Sequence, residues 1–129
     1  MSTMNFIELF GSKKPLIACI HLKALPGAPN YKGSMLEVID AALTETEIFS
    51  RNGISALIVE NFRDNPFYPG SLPPETTAAM AVVVHEVKKA FPGPVGVNAL
   101  RNDAQAALAI TLASKADFIR VNVHTGAML

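Results

Sequence analysis

Short apolar segments alternate with longer helical patterns along this chain, and this alternation limits the possible folds more than any other feature of the sequence. The apolar segments have the length of buried strands and cover residues 16–20, 54–59, 95–99 and 118–123. The helical patterns between them cover residues 35–52, 74–91 and 103–115. A β-α-β-α-β-α-β order predicts an α/β fold with a parallel sheet, because parallel strands need crossover connections.

Capping signals mark where the predicted helices begin. Ser34 is a suitable N-cap for the first long helix, and Pro74 suits the first position of the second. Asn102 is predicted to cap the third, with Gln105 completing a capping box. A short lead-in helix over residues 5–10 is predicted to end at Gly11.

Two architectures share this element order, a doubly wound sheet and a closed (βα)8 barrel. The first strand-to-helix connection has no GxGxxG sequence, so a dinucleotide-binding doubly wound fold has little support. Four strands make half of an eight-stranded barrel, whose usual length is about 250 residues. We therefore expect residues 1–129 to form one partial domain, the N-terminal half of a TIM (βα)8 barrel, completed by a C-terminal half or a second copy.

Polar side chains share one face of the predicted strands near the strands' carboxyl ends. Because side chains alternate along a strand, the apolar residues should face the helices and the polar ones the opposite side. Barrel enzymes build their sites at this end of the sheet. Six polar side chains are predicted to converge there: His21, Glu60, Asn98, Arg120, Asn122 and His124.

The chemistry of this polar set leaves alternatives open. Arg120 either forms a structural ion pair with Glu60 or binds a ligand phosphate or carboxylate. His21, Glu60 and His124 suit acid/base catalysis, since imidazole titrates near neutral pH. The same three residues match a two-histidine, one-carboxylate metal site, but no local spacing such as HExxH supports it, and we predict no metal.

Cys19 is the only cysteine, which excludes an internal disulfide and a multi-thiolate metal site. A single free thiol favours a reducing, cytoplasmic compartment. Cys19 is expected to be an inert core residue, although His21 two positions along could serve a nucleophilic cysteine as its base. His85, in the middle of a helix, is expected on the surface.

Charge and hydropathy argue against nucleic-acid binding and against a membrane-spanning segment. Eleven basic and eleven acidic residues leave no formal net charge, which removes the electrostatic case for nucleic-acid binding. The longest apolar run, residues 78–84, is far shorter than the roughly 18 residues of a membrane span. We also expect no export signal, because no basic flank precedes an apolar segment at the N-terminus. The expectation is a soluble or at most peripherally membrane-associated protein.

Several ordered sequence blocks resemble the BtpA/SgcQ family from about Lys14 to Leu129. The blocks are Ile20-His21-Leu22 with Leu25-Pro26-Gly27, Val59-Glu60-Asn61-Phe62 with Asp64 and Pro66-Phe67, Pro73-Pro74-Glu75-Thr76 with Ala79-Met80, Pro94-Val95-Gly96-Val97-Asn98 with Arg101-Asn102-Asp103, and residues 116–127. The resemblance implies a TIM-type barrel of the ribulose-phosphate-binding kind. One branch of the family is associated with photosystem I biogenesis, and the SgcQ-like branch accompanies sugar metabolism.

The resemblance and the strand pattern together define the expected site. The expected catalytic residues are His21, Glu60 and His124. The expected ligand-binding residues are Asn61, Asn98, Arg101, Asn102, Arg120, Asn122, Thr125 and Gly126. The loop that begins at His124 and includes Ala127 offers backbone N–H groups to an anion.

Two functions follow as expectations. In the first, the protein binds or acts on a small phosphorylated or sugar-like metabolite, and the sequence identifies neither a reaction nor a cofactor. In the second, it is a non-enzymatic assembly factor for photosystem I reaction-centre proteins that binds through an exposed loop containing Phe67 and Tyr68. Exposed edges on strands one and four further predict a homo-oligomer.

Overall fold

The computed structural model describes residues 4–126. Helices and strands alternate in the predicted order after a short first helix. The elements are α1 (Phe6–Phe10), β1 (Ile17–His21), α2 (Met35–Arg51), β2 (Ala56–Glu60), α3 (Pro74–Ala90), β3 (Val95–Asn98), α4 (Ala104–Ser114) and β4 (Phe118–Ile119).

The four strands form one parallel sheet in the order β1-β2-β3-β4. His21 is level with Glu60, and Glu60 is level with Asn98 in the next strand. Since residues level with one another in a parallel sheet point to the same side, these three side chains share a face at the carboxyl edge. The predicted α/β class and parallel sheet are confirmed.

The hydrophobic core lies between the other face of the sheet and helices α2, α3 and α4. Strand residues of the apolar set, such as Leu57, Val59 and Val97, have no exposed surface. They pack with the buried faces of the helices, including Met80 of α3 and Ile110 of α4. Burial of these side chains provides the main stabilisation of the sheet against its helices.

Helix α1 reaches the opposite face of the sheet through aromatic contacts. The Phe118 ring lies over Gly96, where an added Cβ atom would come within 2.3 Å of a ring carbon and would force the ring to move. The Phe10 ring packs edge-on against Phe118 with 5.1 Å between centroids. The amino-terminal half of this face is therefore apolar, and the carboxyl-terminal half is polar.

Some predicted boundaries are confirmed and others are wrong. The Ser34 hydroxyl caps α2 by accepting from the Glu37 amide, and Pro74 is the first residue of α3, as predicted. The prediction of Asn102 as the cap of α4 is wrong, because Asp103 caps it and the helix begins one residue later. The capping box with Gln105 is therefore absent.

Strand β4 is much shorter than the predicted 118–123. Only Phe118 and Ile119 pair with β3, although the Arg120 amide still donates to the Val97 carbonyl at 2.9 Å. Beyond this point the Asn102 side chain replaces a strand partner by bonding both the N–H and the carbonyl of Val123. Within residues 4–126, no helix has the length and apolarity to cross a bilayer.

Candidate functional site

Glu60 is the centre of a polar cluster at the carboxyl edge of the sheet. It ends β2 and is only 4% exposed. Its Oε1 accepts hydrogen bonds from Asn98 Nδ2 at 3.0 Å and from Arg120 Nη1 at 3.2 Å. Its Oε2 lies 3.3 Å from His21 Nε2. A buried carboxylate thus joins side chains from β1, β3 and the segment after β4.

Arg120 forms an ion pair with Glu60. This is the first of the two interpretations that the sequence left open; the other was binding of a ligand anion. Its side chain is 52% exposed, whereas that of Glu60 is 6% exposed. A carboxylate in this position needs a nearby cation, because burial of an unpaired charge is strongly unfavourable. Because about half of the Arg120 side chain remains exposed, a ligand anion can also approach it.

His21 ends β1 and stacks on an aromatic ring from the next loop. The Phe62 ring lies 4.1 Å from the imidazole centroid with an interplanar angle of 13°. Phe62 fixes one face of the imidazole while Glu60 meets its edge. We did not predict this role for Phe62; its position two residues after Glu60 at the end of β2 is the only sequence signal for it.

Cys19 lies on the same face of β1 as His21 and is not part of the hydrophobic core cluster, although a core cysteine was expected. It is half-buried, and its Sγ lies 3.9 Å from Glu60 Oε1. Burial raises the pKa of the Cys19 thiol, the Glu60 carboxylate raises it further, and the Arg120 guanidinium opposes them. The protonated thiol is therefore a poor nucleophile.

Asn122 and Asn102 organise the segment after β4. Asn122 Oδ1 accepts from Asn98 Nδ2 at 3.3 Å, and its Nδ2 donates to the Arg101 carbonyl at 2.8 Å. Asn102 holds the Val123 backbone from both sides. Asn122 therefore belongs to the Glu60 cluster, whereas the side chain of Asn102 has a structural partner. Arg101 is half-buried at the edge of the cluster.

Asn61 joins the loops after β1, β2 and β3. Its Nδ2 donates to Asp64 Oδ2 and to the Leu100 carbonyl, and its Oδ1 accepts from the Leu100 amide at 2.6 Å. Asp64 Oδ1 in turn accepts from the Leu25 amide at 2.8 Å. These bonds occupy the Asn61 amide, so the structure gives this residue, expected to bind ligand, a role in holding the loops.

The remaining predicted residues lie at the exposed rim. His124, Thr125 and Gly126 are exposed, and within residues 4–126 no hydrogen bond or ion pair joins His124 to the Glu60 cluster. Ala127 of the predicted anion loop lies outside the described residues. His85 is exposed on α3, as predicted.

A basic cavity lies beside this cluster. Lys23, Lys32 and Arg63 line a space of about 380 Å³ at the start of α2, together with Glu37. Lys23 and Arg63 also line a smaller adjoining space of about 200 Å³ that His21 borders. Glu37 pairs with Lys23, and Glu45 lines the smaller space, so three cations face two carboxylates and the balance still favours a small anion.

One group of side chains in the described residues has the composition of a metal site. The donor atoms of Cys19, His21 and Glu60 all lie within 4.8 Å of one another. This set differs from the histidine pair considered from the sequence, because Cys19 stands in place of His124. The cluster as a whole therefore combines hydrogen-bond donors, a buried carboxylate, an imidazole and a thiol.

Comparisons with known proteins give the chain its family. An uncharacterised protein from Pyrococcus horikoshii is 48% identical over 115 residues, which are 89% of this chain and 44% of that protein. Photosystem I biogenesis protein BtpA from Synechocystis sp. is 39% identical over 125 residues, 97% of this chain and 44% of that protein. Putative sgc region protein SgcQ from Escherichia coli is 37% identical over 122 residues, which are 93% of this chain and 44% of that protein.

These relatives are more than twice as long as the region that they share with this chain. The chain spans about 44% of their length, and no solved structure matches it. The model of the BtpA family matches residues 12–129, which include every strand of the sheet and the whole Glu60 cluster. The chain therefore belongs to the BtpA family.

Proposed function

We propose that this chain forms the N-terminal half of a TIM-type barrel of the ribulose-phosphate-binding kind. Two observations support this. The strands follow one another in sequence order with α2, α3 and α4 on one face, whereas a doubly wound sheet reverses its strand order. The relatives also supply enough additional length for the other half. The single free cysteine supports a reducing, cytoplasmic location.

In this proposal the carboxyl edge of the sheet binds a small phosphorylated or sugar-like metabolite. The observation that carries it is the buried Glu60 carboxylate, held by Arg120 and Asn98 and facing His21. Carboxylate and amide groups fixed in this way suit sugar hydroxyls, and the exposed guanidinium suits a phosphate. The cavity lined by Lys23, Lys32 and Arg63 offers a second place for the anionic end.

Any acid/base step is assigned to His21, with Glu60 orienting its imidazole. Glu60 Oε2 lies 3.3 Å from Nε2, so the negative charge of the carboxylate favours a proton on this ring nitrogen. The edge of the imidazole that Glu60 does not occupy would then exchange a proton with a substrate. His124, Thr125 and Gly126 are proposed contacts at the rim, where His124 would meet a ligand that extends beyond the cluster.

A thermal-shift panel on the full-length protein tests this proposal. The panel contains sugar phosphates, the parent sugars and inorganic phosphate, and each ligand that stabilises the protein is then titrated calorimetrically. Arg120→Met should weaken binding of such a ligand about 10- to 100-fold, because a hydrogen bond to a charged group contributes about 1.5–3 kcal/mol. Arg51→Met is the matched control, since Arg51 is an exposed arginine on α2 that pairs only with Glu47 among the described residues.

His21→Gln separates binding from catalysis. Glutamine still reaches Glu60, so binding should persist while turnover of an identified substrate is lost; the surface change His85→Gln should alter neither. The proposal fails when no member of the panel stabilises the protein, or when a stabilising ligand binds Arg120→Met with unchanged affinity.

A second candidate function is assembly of a membrane complex. It rests on the name of the Synechocystis relative, a photosystem I biogenesis protein, and on an exposed aromatic surface after β2. Phe62 is 45% and Tyr68 40% exposed, whereas Phe67 is half-buried against Phe62, contrary to the expectation that it is exposed. Exposed aromatic residues are frequent anchors in protein interfaces.

Pulldown from a photosynthetic lysate with probes for reaction-centre proteins tests the second function. Tyr68→Glu should abolish capture, and Leu36→Glu on exposed α2 surface should not. Capture that survives Tyr68→Glu but is lost on Arg120→Met would contradict this function, because the interaction would then depend on the polar cluster.

A further inference from the structure

Cys19, His21 and Glu60 place three different metal-binding atoms around one point. Cys19 and His21 are two residues apart on β1 and share a face, and His21 is level with Glu60 on β2. Nε2 lies 3.3 Å from Oε2, and Sγ lies 3.9 Å from Oε1. Donor atoms around tetrahedral zinc are separated by about 3.3–3.6 Å, given metal–ligand bonds of about 2.0–2.3 Å. The three donor atoms lie within 4.8 Å of one another, so side-chain rotations that bring Sγ from Oε1 toward Oε2 and Nε2 would complete this geometry.

Asn98 supplies a second, independent indication of a missing ligand. It is 1% exposed, and both its amide contacts, to Glu60 and Asn122, use Nδ2. Its Oδ1 is buried and has no hydrogen-bond partner within residues 4–126. Buried amide carbonyls are almost always paired. A water molecule or a polar group of a ligand bound beside Glu60 would satisfy this oxygen.

The Glu60 carboxylate is already divided between two roles. Oε1 accepts from Asn98 and Arg120, which fix the orientation of the carboxylate, and is also contacted by the Cys19 thiol, while Oε2 faces His21. Hydrogen bonds of this kind typically hold metal-binding carboxylates in place. A divalent ion bound by the Cys19 thiolate and by Oε2 would leave the site with one net positive charge, counting Arg120.

We propose that Cys19, His21 and Glu60 bind a divalent transition metal, with zinc the best chemical match. A thiolate, an imidazole and a carboxylate together suit zinc and disfavour magnesium or calcium, which prefer oxygen ligands alone. Binding releases the thiol proton to solvent as the sulfur–metal bond forms. Three protein ligands leave a fourth position open to water or to an oxygen of a bound molecule. The metal site lies within the proposed metabolite site but does not depend on it, and in the metal-bound state Nε2 and Oε2 bind the ion in place of a shared proton.

Cobalt titration of the full-length protein, purified without a histidine tag and free of metabolite, tests this proposal. Co²⁺ should bind one-to-one and give the visible bands of tetrahedral cobalt together with a near-ultraviolet thiolate-to-cobalt band. Zn²⁺ should displace it. Cys19 is the only cysteine among these 129 residues, so a thiolate band that disappears in Cys19→Ser is assigned to this site.

Ligand variants sharpen the test. Cys19→Ser should remove the thiolate band, and Glu60→Gln should weaken Co²⁺ binding by more than about tenfold, since loss of groups that only orient a ligand already costs about 10- to 100-fold. His85→Gln, on exposed α3 surface, should change neither. Circular dichroism of each variant confirms folding, and Zn²⁺ should raise the melting temperature of the wild type but not of Cys19→Ser.

The proposal is overturned when the wild type shows no thiolate band, or when Cys19→Ser and Glu60→Gln bind Co²⁺ as tightly as the wild type. These outcomes are separate from the metabolite proposal. Cobalt binding without any stabilising sugar phosphate would leave the metal site standing, and the reverse result would leave the metabolite site standing.

Discussion

Two buried carboxylates at the carboxyl edge of the sheet have different surroundings. Glu60 is 4% exposed and has the Arg120 guanidinium and the His21 imidazole beside it. Asp64 is 3% exposed and is held by neutral donors, the Leu25 amide and the Asn61 side chain. Burial raises the pKa of Asp64 above its ordinary 3.8, while these two hydrogen bonds oppose the rise. Glu60 therefore lies among charged and titratable side chains, as in a binding site. Asp64 has only neutral hydrogen-bond partners and links two loops.

The raised pKa of Asp64 predicts a specific dependence of stability on pH. Between 3.8 and the raised value, the folded protein binds more protons at Asp64 than the unfolded chain does. The contribution of Asp64 to the free energy of unfolding is therefore fully present below pH 3.8 and decreases as pH rises through this window. Each unit of pKa difference corresponds to about 1.4 kcal/mol.

Urea unfolding of wild type and Asp64→Asn, at several pH values from about 3 to 7, measures this contribution. The stability of the wild type relative to Asp64→Asn should fall as pH rises. Asp40→Asn, on the exposed surface of α2, is the control and should show a much smaller trend. A relative stability that increases with pH would contradict the assignment.

At the scale of elements, the two neighbouring polar residues before α4, Asn102 and Asp103, hold different segments of the chain. Asp103 Oδ1 accepts from the Ala106 amide at 2.9 Å, and its Oδ2 accepts from the Leu72 amide at 2.8 Å. Asn102 instead bonds the Val123 backbone. Asp103 therefore holds the start of the helix and the loop before α3, while Asn102 holds the segment after β4.

Alanine substitutions should separate these two tasks. Asp103→Ala removes the cap and an acceptor for Leu72, so the free energy of unfolding should fall by about 2–4 kcal/mol, adding a cap of about 1 to an unpaired amide of about 1–3. Asn102→Ala should reduce it less and should lower hydrogen-exchange protection at Val123 while leaving Ala106 protected. Equal destabilisation by both variants, with Ala106 exchanging rapidly in Asn102→Ala, would contradict the observed cap.

Local sequence patterns correctly predicted those features that depend only on residues nearby in the chain. Ser34 and Pro74 marked the starts of α2 and α3, and strict alternation placed His21, Glu60 and Asn98 on one face. Asn102 and Asp103 are equally good caps, so sequence alone could not choose between them. The end of β4 and the role of Asn61 depend on partners more than twenty residues away, Asn102 with Val123 and Asn61 with Leu100, which no local signal reports.

At the scale of the whole molecule, the sheet is open at both ends within residues 4–126. Strand β1 pairs only with β2, and β4 only with β3. Helix α4, next to the β4 edge, exposes Leu108 by 57% and Leu112 by 80%. Unpaired edges beside exposed leucines favour association with another chain. Relatives of more than twice the length have additional chain that can supply this cover.

We predict that the 129-residue chain forms a homodimer through its open edges. Full burial of a leucine side chain contributes about 1.5–3 kcal/mol. Because Leu108 is 57% and Leu112 80% exposed, these residues from two copies offer about 4–8 kcal/mol in all, against an association cost of about 4–15 kcal/mol. The balance predicts a weak dimer whose population depends on concentration, so sedimentation velocity should show the sedimentation coefficient rising with loading concentration.

Leu112→Glu tests which surface is involved. A two-fold interface loses the residue twice, so the dimer should weaken by about 2–5 kcal/mol and sediment as a monomer at concentrations where the wild type associates. Val82→Glu is the matched control, because Val82 is 51% exposed on α3, which lies between α2 and α4 and away from both edges. A folded wild type that remains monomeric at every concentration would refute the prediction. Equal dissociation by both variants would show that exposed apolar surface in general, and not the β4 edge, drives association.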